Sequence, residues 1–183
     1  MKKIVIILLC NLFTICSFGQ EFMGIKVDGD LKTVVDKFIN KGFKITYTEV
    51  PNVTTAVGYY SGTLFEVNIV STPISKKVWK FAVYLPKKYD WYTLKSEYTS
   101  YRSSLIEKYG LPRNTYTGFA SPYYEGDGYE FSAVRNNKCS YSTVWDDMSI
   151  EISQFSQVRI SYENTVNSAI YDSEKNNINQ TIF

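Results

Sequence analysis

Histidine is absent from this 183-residue chain. That absence removes Ser-His-Asp and Cys-His nucleophile systems, and with them zinc sites built on imidazole. Cysteine is scarce: Cys10, Cys16 and Cys139 are the only three, and the first two fall in an N-terminal segment that reads as removable. With Cys139 alone, the remaining chain has no intramolecular disulfide, and a domain of this length buries an adequate core without one. Net charge is nearly absent too. The formal excess is +2, and Lys2 and Lys3 account for all of it. A neutral domain lacks the basic footprint that nucleic-acid binding requires to neutralise phosphates. No polybasic stretch is present to hold an acidic membrane. Beyond residue 19 no apolar run approaches the length of about 20 residues that spans a bilayer.

What is present at the N-terminus is an export pattern. Lys2 and Lys3 precede an uncharged, mostly aliphatic run from Ile4 to Phe18, and Ser17-Phe18-Gly19 places small residues at the −3 and −1 positions. Charged, apolar and small-x-small regions in that order predict a signal peptide over residues 1–19, with Gln20 as the new N-terminus. The expected destination is periplasmic or extracellular. Cys16 follows Ile15, where lipoprotein processing prefers a small residue, so a lipid anchor is disfavoured.

The remaining residues, 20–183, have the size of one compact domain. Sixteen Tyr and eleven Phe in the chain favour strands, whose pleated surfaces accept aromatic rings. Two segments have helical periodicity. Asp30 is a good N-cap before Leu31, Val34, Val35, Phe38 and Ile39, and Gly42 ends the run. Asp90 caps a longer one carrying Trp91, Leu94, Tyr98, Tyr101, Leu105 and Tyr109, stopped by Gly110 and Pro112.

After each helix the period changes to two. Phe43-Ile45-Tyr47, a short strand at Val57–Tyr60, Phe65-Val67-Ile69 and Trp79-Phe81-Val83-Leu85 follow the first. Tyr129-Phe131-Ala133, Tyr141-Thr143-Trp145, Ile150-Ile152 and Val158-Ile160-Tyr162 follow the second. Asn136-Asn137-Lys138 and Asp146-Asp147 have the composition of hairpin turns. The expected fold is α+β: two layers, built from tandem repeats of a helix plus a four-stranded antiparallel sheet, with helices on one face. The halves span about residues 20–88 and 89–163, and residues 164–183 read as a polar, loosely held tail with room for a short helix.

The run Trp91-x-x-Leu94-x-x-x-Tyr98 leading into Lys108-Tyr109-Gly110-Leu111-Pro112 is similar to segments of exported envelope proteins of Gram-negative bacteria. The order of elements resembles the β-lactamase inhibitor protein architecture, without the paired disulfides of that inhibitor. The resemblance covers the domain as an order of elements, implies a fold, and carries over no functional residue.

Candidate chemistry is sparse. Asp146-Asp147 with Glu151 could supply the two acids of a glycosidase, but adjacent turn aspartates more often bond nearby amides. Asp28-Gly29-Asp30 reads as a turn ending in a helix cap. Glu125-Gly126-Asp127-Gly128 lacks the ligand ladder of a calcium loop. Cys139 alternates with inward Tyr141 and Thr143, which predicts a buried thiol of raised pKa. Asn52-Val53-Thr54 matches a glycosylation sequon, a match of little meaning under the bacterial origin that the resemblance implies. No cofactor and no metal are implied.

Aromatic residues in the apolar phase (Trp79, Phe81, Tyr129, Phe131, Tyr141) should pack beneath the helices. The opposite phase holds Glu66, Asn68, Lys80, Tyr84, Glu130, Ser132, Ser140, Ser142, Glu151, Ser153, Arg159 and Ser161, which has the hydroxyl-rich, mixed-charge character of a solvated sheet. Tyr59 and Tyr60, beside Ser61-Gly62, and Tyr123 and Tyr124, between Pro122 and Gly126, are loop aromatics suited to recognition. With Tyr84 on the open face they are the candidate binding residues. The expected function is an exported, non-enzymatic domain binding a protein or glycan partner. A structural or assembly role in the envelope and a carboxylate-based glycoside hydrolase are the alternatives.

Overall fold

The computed structural model describes residues 20–182; the export segment read over residues 1–19 lies outside them. The chain starts with a small hairpin of β1 (Glu21–Phe22) and β2 (Ile25–Lys26). Next come α1 (Leu31–Asn40), β3 (Lys44–Tyr47), β4 (Val53–Tyr60), β5 (Thr63–Ser71) and β6 (Val78–Tyr84). A second series holds α2 (Trp91–Tyr109), β7 (Asn114–Tyr116), the short α3 (Glu130–Arg135), β8 (Ser142–Val144), β9 (Met148–Ile152) and β10 (Val158–Glu163). Helix α4 (Thr165–Ile182) follows. The fold is α+β, and β3 to β10 form one antiparallel sheet of eight strands in the order β3-β4-β5-β6-β10-β9-β8-β7.

Both long helices start at the expected caps. The Asp30 carboxylate accepts from the Lys32 amide at 2.9 Å, and Asp90 accepts from the Thr93 amide at 2.9 Å, each satisfying a donor left free in the first helical turn. Val34 and Phe38 of α1 and Leu94, Tyr98 and Leu105 of α2 are buried. They join one core with Phe65, Val67, Phe81, Val83, Ile150 and Ile160 from alternate positions of four strands. Phe38 stands edge-on to both Phe43 and Phe81, with ring centroids 5.4 Å apart in each pair. Edge-to-face rings of this kind add about 0.5–1.5 kcal/mol beyond area burial.

Four features depart from expectation. Tyr129-Phe131-Ala133 is not a strand: it lies at the start of α3, where Tyr129 is 65% exposed. Local hydrogen bonds turn the chain here. Asp127 accepts from the amides of Tyr124 and Tyr129 at 3.0 and 2.7 Å, and Glu130 accepts from the Gly126 amide at 2.8 Å. Asn136-Asn137-Lys138 therefore ends a helix instead of joining two strands, with Asn137 at φ +55°. Glu130 and Ser132 accordingly belong to this helix, not to a sheet face.

Trp79 also leaves the position expected for it. The register shifts where Val70 pairs with Lys80 and Ser71 with Val78, which makes Trp79 the extra residue of a bulge. Val78 fills the core place instead, and the half-buried Trp79 ring packs on Tyr171 of α4 at 4.9 Å. Strand β4 extends back to Val53, because its buried positions Thr54, Ala56 and Gly58 are too small to register as apolar. Residues 165–182, expected in a loose tail, form an 18-residue helix. Its Asn167 side chain donates to the Val78 carbonyl at 2.8 Å, and Glu174 accepts from the Ile74 amide at 2.7 Å.

Candidate functional site

The alternation of β5, β6, β9 and β10 divides the sheet into a core face and a polar face. Cross-strand pairing aligns one row of the polar face across six strands: Glu66 opposite Tyr84, Tyr84 opposite Arg159, Arg159 opposite Glu151, Glu151 opposite Ser142, and Ser142 opposite Tyr116. At its β7–β10 end the row opens into a groove of about 470 Å³. Ser140, Ser142 and Ser153 line it with hydroxyls, and the Glu151–Arg159 ion pair, at 2.6 Å, crosses it. Tyr116 and Phe155 also line the groove, 54% and 60% exposed.

The ion pair is ordered on both sides. Burial works against the Arg159 charge, but a hydrogen bond with Tyr84 and the Glu151 carboxylate outweigh it, leaving the guanidinium more firmly protonated than usual. Its Nε is buried without a hydrogen-bond partner among the described residues. Ser153 is 6% exposed, and its Oγ likewise has no partner among them. Phe155 sits on the β9–β10 turn. That turn is closed by Ser153 N–H to the Gln157 carbonyl at 2.9 Å and tied to the β6–α2 loop by Lys88 N–H to the Ser156 carbonyl at 2.9 Å. Gln157 Nε2 adds a bond to the Leu85 carbonyl at 2.9 Å. The ring is thus presented on an anchored turn.

The five predicted tyrosines do not share one patch. Tyr59 and Tyr60 are adjacent in β4, opposite Leu64 and Thr63, so they point to opposite faces. Tyr60 lines an apolar groove on the core face with Phe22, Phe65 and Tyr101, while Tyr59 is exposed on the polar side. Tyr123 accepts a hydrogen bond from Asn136 Nδ2 at 2.9 Å, and Tyr124 is exposed beside it. Their loop is fastened to Tyr141, next to β8, through Glu125. Strands β4 and β8 are five spacings apart in the sheet, on the order of 24 Å at about 4.8 Å per strand. Tyr84 lies opposite Arg159 on the neighbouring strand and so stands beside the groove without lining it.

The acidic residues and the thiol singled out in the sequence are engaged in local structure. Glu125 accepts from Lys95 Nζ at 2.5 Å and from the Tyr141 hydroxyl. Lys95 and Tyr141 together hold its carboxyl below the usual range, while burial and then Glu125 push the Tyr141 phenol up. Burial, with Glu125 nearby, pushes the Cys139 thiol up to about 12, the direction expected, although the side chain is half-buried at the groove and not fully inside as the alternation predicts. Asp146 faces Arg113 at 3.3 Å, and Asp147 accepts from Gln20 Nε2 at 2.6 Å. Asp28 accepts from the Gly29 amide at 2.7 Å beside the Asp30 cap, as the turn reading requires.

Sequence reasoning passed over Tyr116 and Phe155. The available signal for Phe155 was an aromatic inside the break between Ile152 and Val158, flanked by Gln154 and Ser156. Comparison of the chain with protein-family models, with curated proteins and with solved structures returns no match.

Proposed function

We propose that the chain is an exported, non-enzymatic recognition domain of the bacterial envelope that binds a protein or glycan partner on the polar face of its sheet. One observation carries this reading: exposed aromatic rings at a hydroxyl-lined groove in which buried polar atoms of Ser153 and Arg159 lack partners. Buried polar groups in proteins are nearly always hydrogen-bonded, so orphans that line a groove mark it for a ligand. The committed carboxylates support the non-enzymatic part. Glu151 is neutralised by Arg159, and Asp146 and Asp147 are engaged with different partners, whereas glycoside hydrolysis uses two carboxyls working on one bond.

The same reading includes a tandem architecture similar to the β-lactamase inhibitor protein, with halves at about residues 20–88 and 89–163. Its support is that a helix and then four strands of the large sheet occur twice, and that β6 meets β10 where the two series join.

The test is affinity capture from an envelope extract, with the parent protein and Phe155→Ala as parallel baits. A partner retained by the parent and lost with Phe155→Ala is expected. No specific capture at high protein concentration, or capture indifferent to Phe155, refutes recognition through this face.

A further inference from the structure

We propose that the groove between β7 and β10 takes a neutral sugar, one pyranose ring of a glycan held against Phe155 and Tyr116. This inference rests on the reading of the groove as a recognition site and names the chemical class of its ligand.

The lining decides the class. An apolar ligand would desolvate Ser140, Ser142 and Ser153 without returning their hydrogen bonds, at a cost that rises with each group left unmade. An acidic ligand would meet Glu151, whose carboxylate lies 2.6 Å from the only guanidinium in the groove. The charge of Arg159 is already spent, and a second anion there would be repelled by the first. A peptide added as an extra strand pairs along a free sheet edge. Tyr116 belongs to the edge strand β7, but that strand is only three residues long, and the serines and the ion pair of the lining lie on the face of β8, β9 and β10 and their flanks, strands with neighbours on both sides.

A neutral pyranose fits each of these constraints. Its hydroxyls both donate and accept, so one ring can satisfy the Ser153 Oγ as well as the Arg159 Nε–H; of the six buried side-chain atoms that lack partners among the described residues, these are the two whose residues line this groove. The axial C–H bonds on one side of the ring form an apolar patch, which suits the exposed faces of aromatic side chains. Phe155 and Tyr116 supply two such rings, and the anchored β9–β10 turn fixes Phe155 at little entropic cost on binding. The volume of about 470 Å³ lies within the range of about 300–1,000 Å³ typical of small-molecule sites.

The experiment is a titration of the ¹⁵N-labelled protein with cellotriose, maltotriose and chitotriose as neutral probes, and sialyllactose as an acidic one, read by amide shifts. At least one neutral trisaccharide should move the amides of residues 140–142 and 151–159 with saturable, fast-exchange kinetics. Phe155→Ala should weaken that binding about tenfold, and Ser153→Ala about fivefold.

Ser153→Ala supplies a readout that a structural role would not produce. Since Ser153 Oγ has no native partner to lose, the unfolding midpoint of the free protein should stay level or rise while affinity falls. Sialyllactose binding more than tenfold tighter than the neutral probes would overturn the proposal in favour of an anion clamp. No saturable shift in the groove from any neutral probe would overturn it too. A captured partner that depends on Phe155 would then preserve the recognition reading while the sugar inference falls; empty capture together with silent titrations removes both.

Discussion

Gly58 is the position at which packing makes the sharpest demand on the chain. It lies in β4 opposite Phe65, and its backbone faces Phe43. A methyl group added there would stand 2.7 Å from Phe43 Cγ, 2.8 Å from Cδ2 and 3.0 Å from the Phe43 Cα. Carbon atoms pack at about 3.5–4.0 Å, so something must move by nearly 1 Å. Phe43 has nowhere to go: it is buried, edge-on against Phe38, and the third close atom is its own backbone. Overpacking of this kind costs about 1–3 kcal/mol. Restricting the unfolded chain by replacing glycine returns about 0.4–1 kcal/mol. The steric effect wins, and Gly58→Ala should lose about 1–2 kcal/mol. At about 2–4 °C per kcal/mol for a chain of this size, the thermal midpoint should fall by about 2–8 °C. Urea unfolding followed by far-UV circular dichroism checks the sign, with a lower midpoint and an unchanged slope. The double variant Gly58→Ala/Phe43→Leu should cost less than the sum of the two single changes, because the methyl then enters space the ring vacated. A midpoint equal to the parent's, or strictly additive costs, would refute the steric argument.

Tyr171→Ala should loosen α4 without loosening the sheet. Amide exchange over residues 165–180 should quicken about tenfold, with β5 and β10 unchanged, since Tyr171 on Trp79 is the aromatic contact of a helix otherwise held by polar anchors; equal exchange in variant and parent would count against it. Glu125→Gln should lower the thermal midpoint at pH 7 slightly. The Glu125 carboxyl titrates lower in the folded protein than its ordinary value of 4.5. Its contribution is therefore present above that value and is lost as pH falls through the lowered one. The gap between Glu125→Gln and the parent should close as the buffer is taken below pH 4.5, and a gap that persists or widens there would show that the Lys95 and Tyr141 contacts do not act through ionisation.

The long helices were legible because their caps and stripes are local. Asp30 and Asp90 announce themselves two or three residues before the amides they cap, and Val34, Phe38, Leu94 and Tyr98 fall on one side of a 3.6-residue period. The strands β5, β9 and β10 were legible for the same reason at a period of two. Helix α3 was not. Tyr129, Phe131 and Ala133 alternate, yet Asp127 and Glu130 bond to neighbouring amides and bend the chain before any strand can extend. Alternation over so few residues is weaker evidence than a carboxylate within reach of its own backbone. Helix α4 escaped for the opposite reason. Its anchors on the sheet, Asn167 to Val78 and Glu174 to Ile74, join residues about 90 to 100 positions apart, and no local pattern in an Asn-rich segment encodes such partners.

The groove shows which part of a site a period can reveal. Ser142, Glu151, Ser153 and Arg159 were assignable to the polar face from alternation alone, where they looked like any solvated surface. Strand order changes their meaning. Because β10 lies between β6 and β9, Arg159 has Tyr84 on one side and Glu151 on the other, and a charge that would be hydrated on an edge strand becomes half-buried and hydrogen-bonded. The same order places Tyr116 of β7 and Phe155 of the β9–β10 turn at one groove, although neither belongs to the apolar period of a core strand. Residue types and faces follow from neighbours along the chain; the orphaned Ser153 and Arg159 atoms arise only from neighbours across it, and the proposed recognition role rests on them.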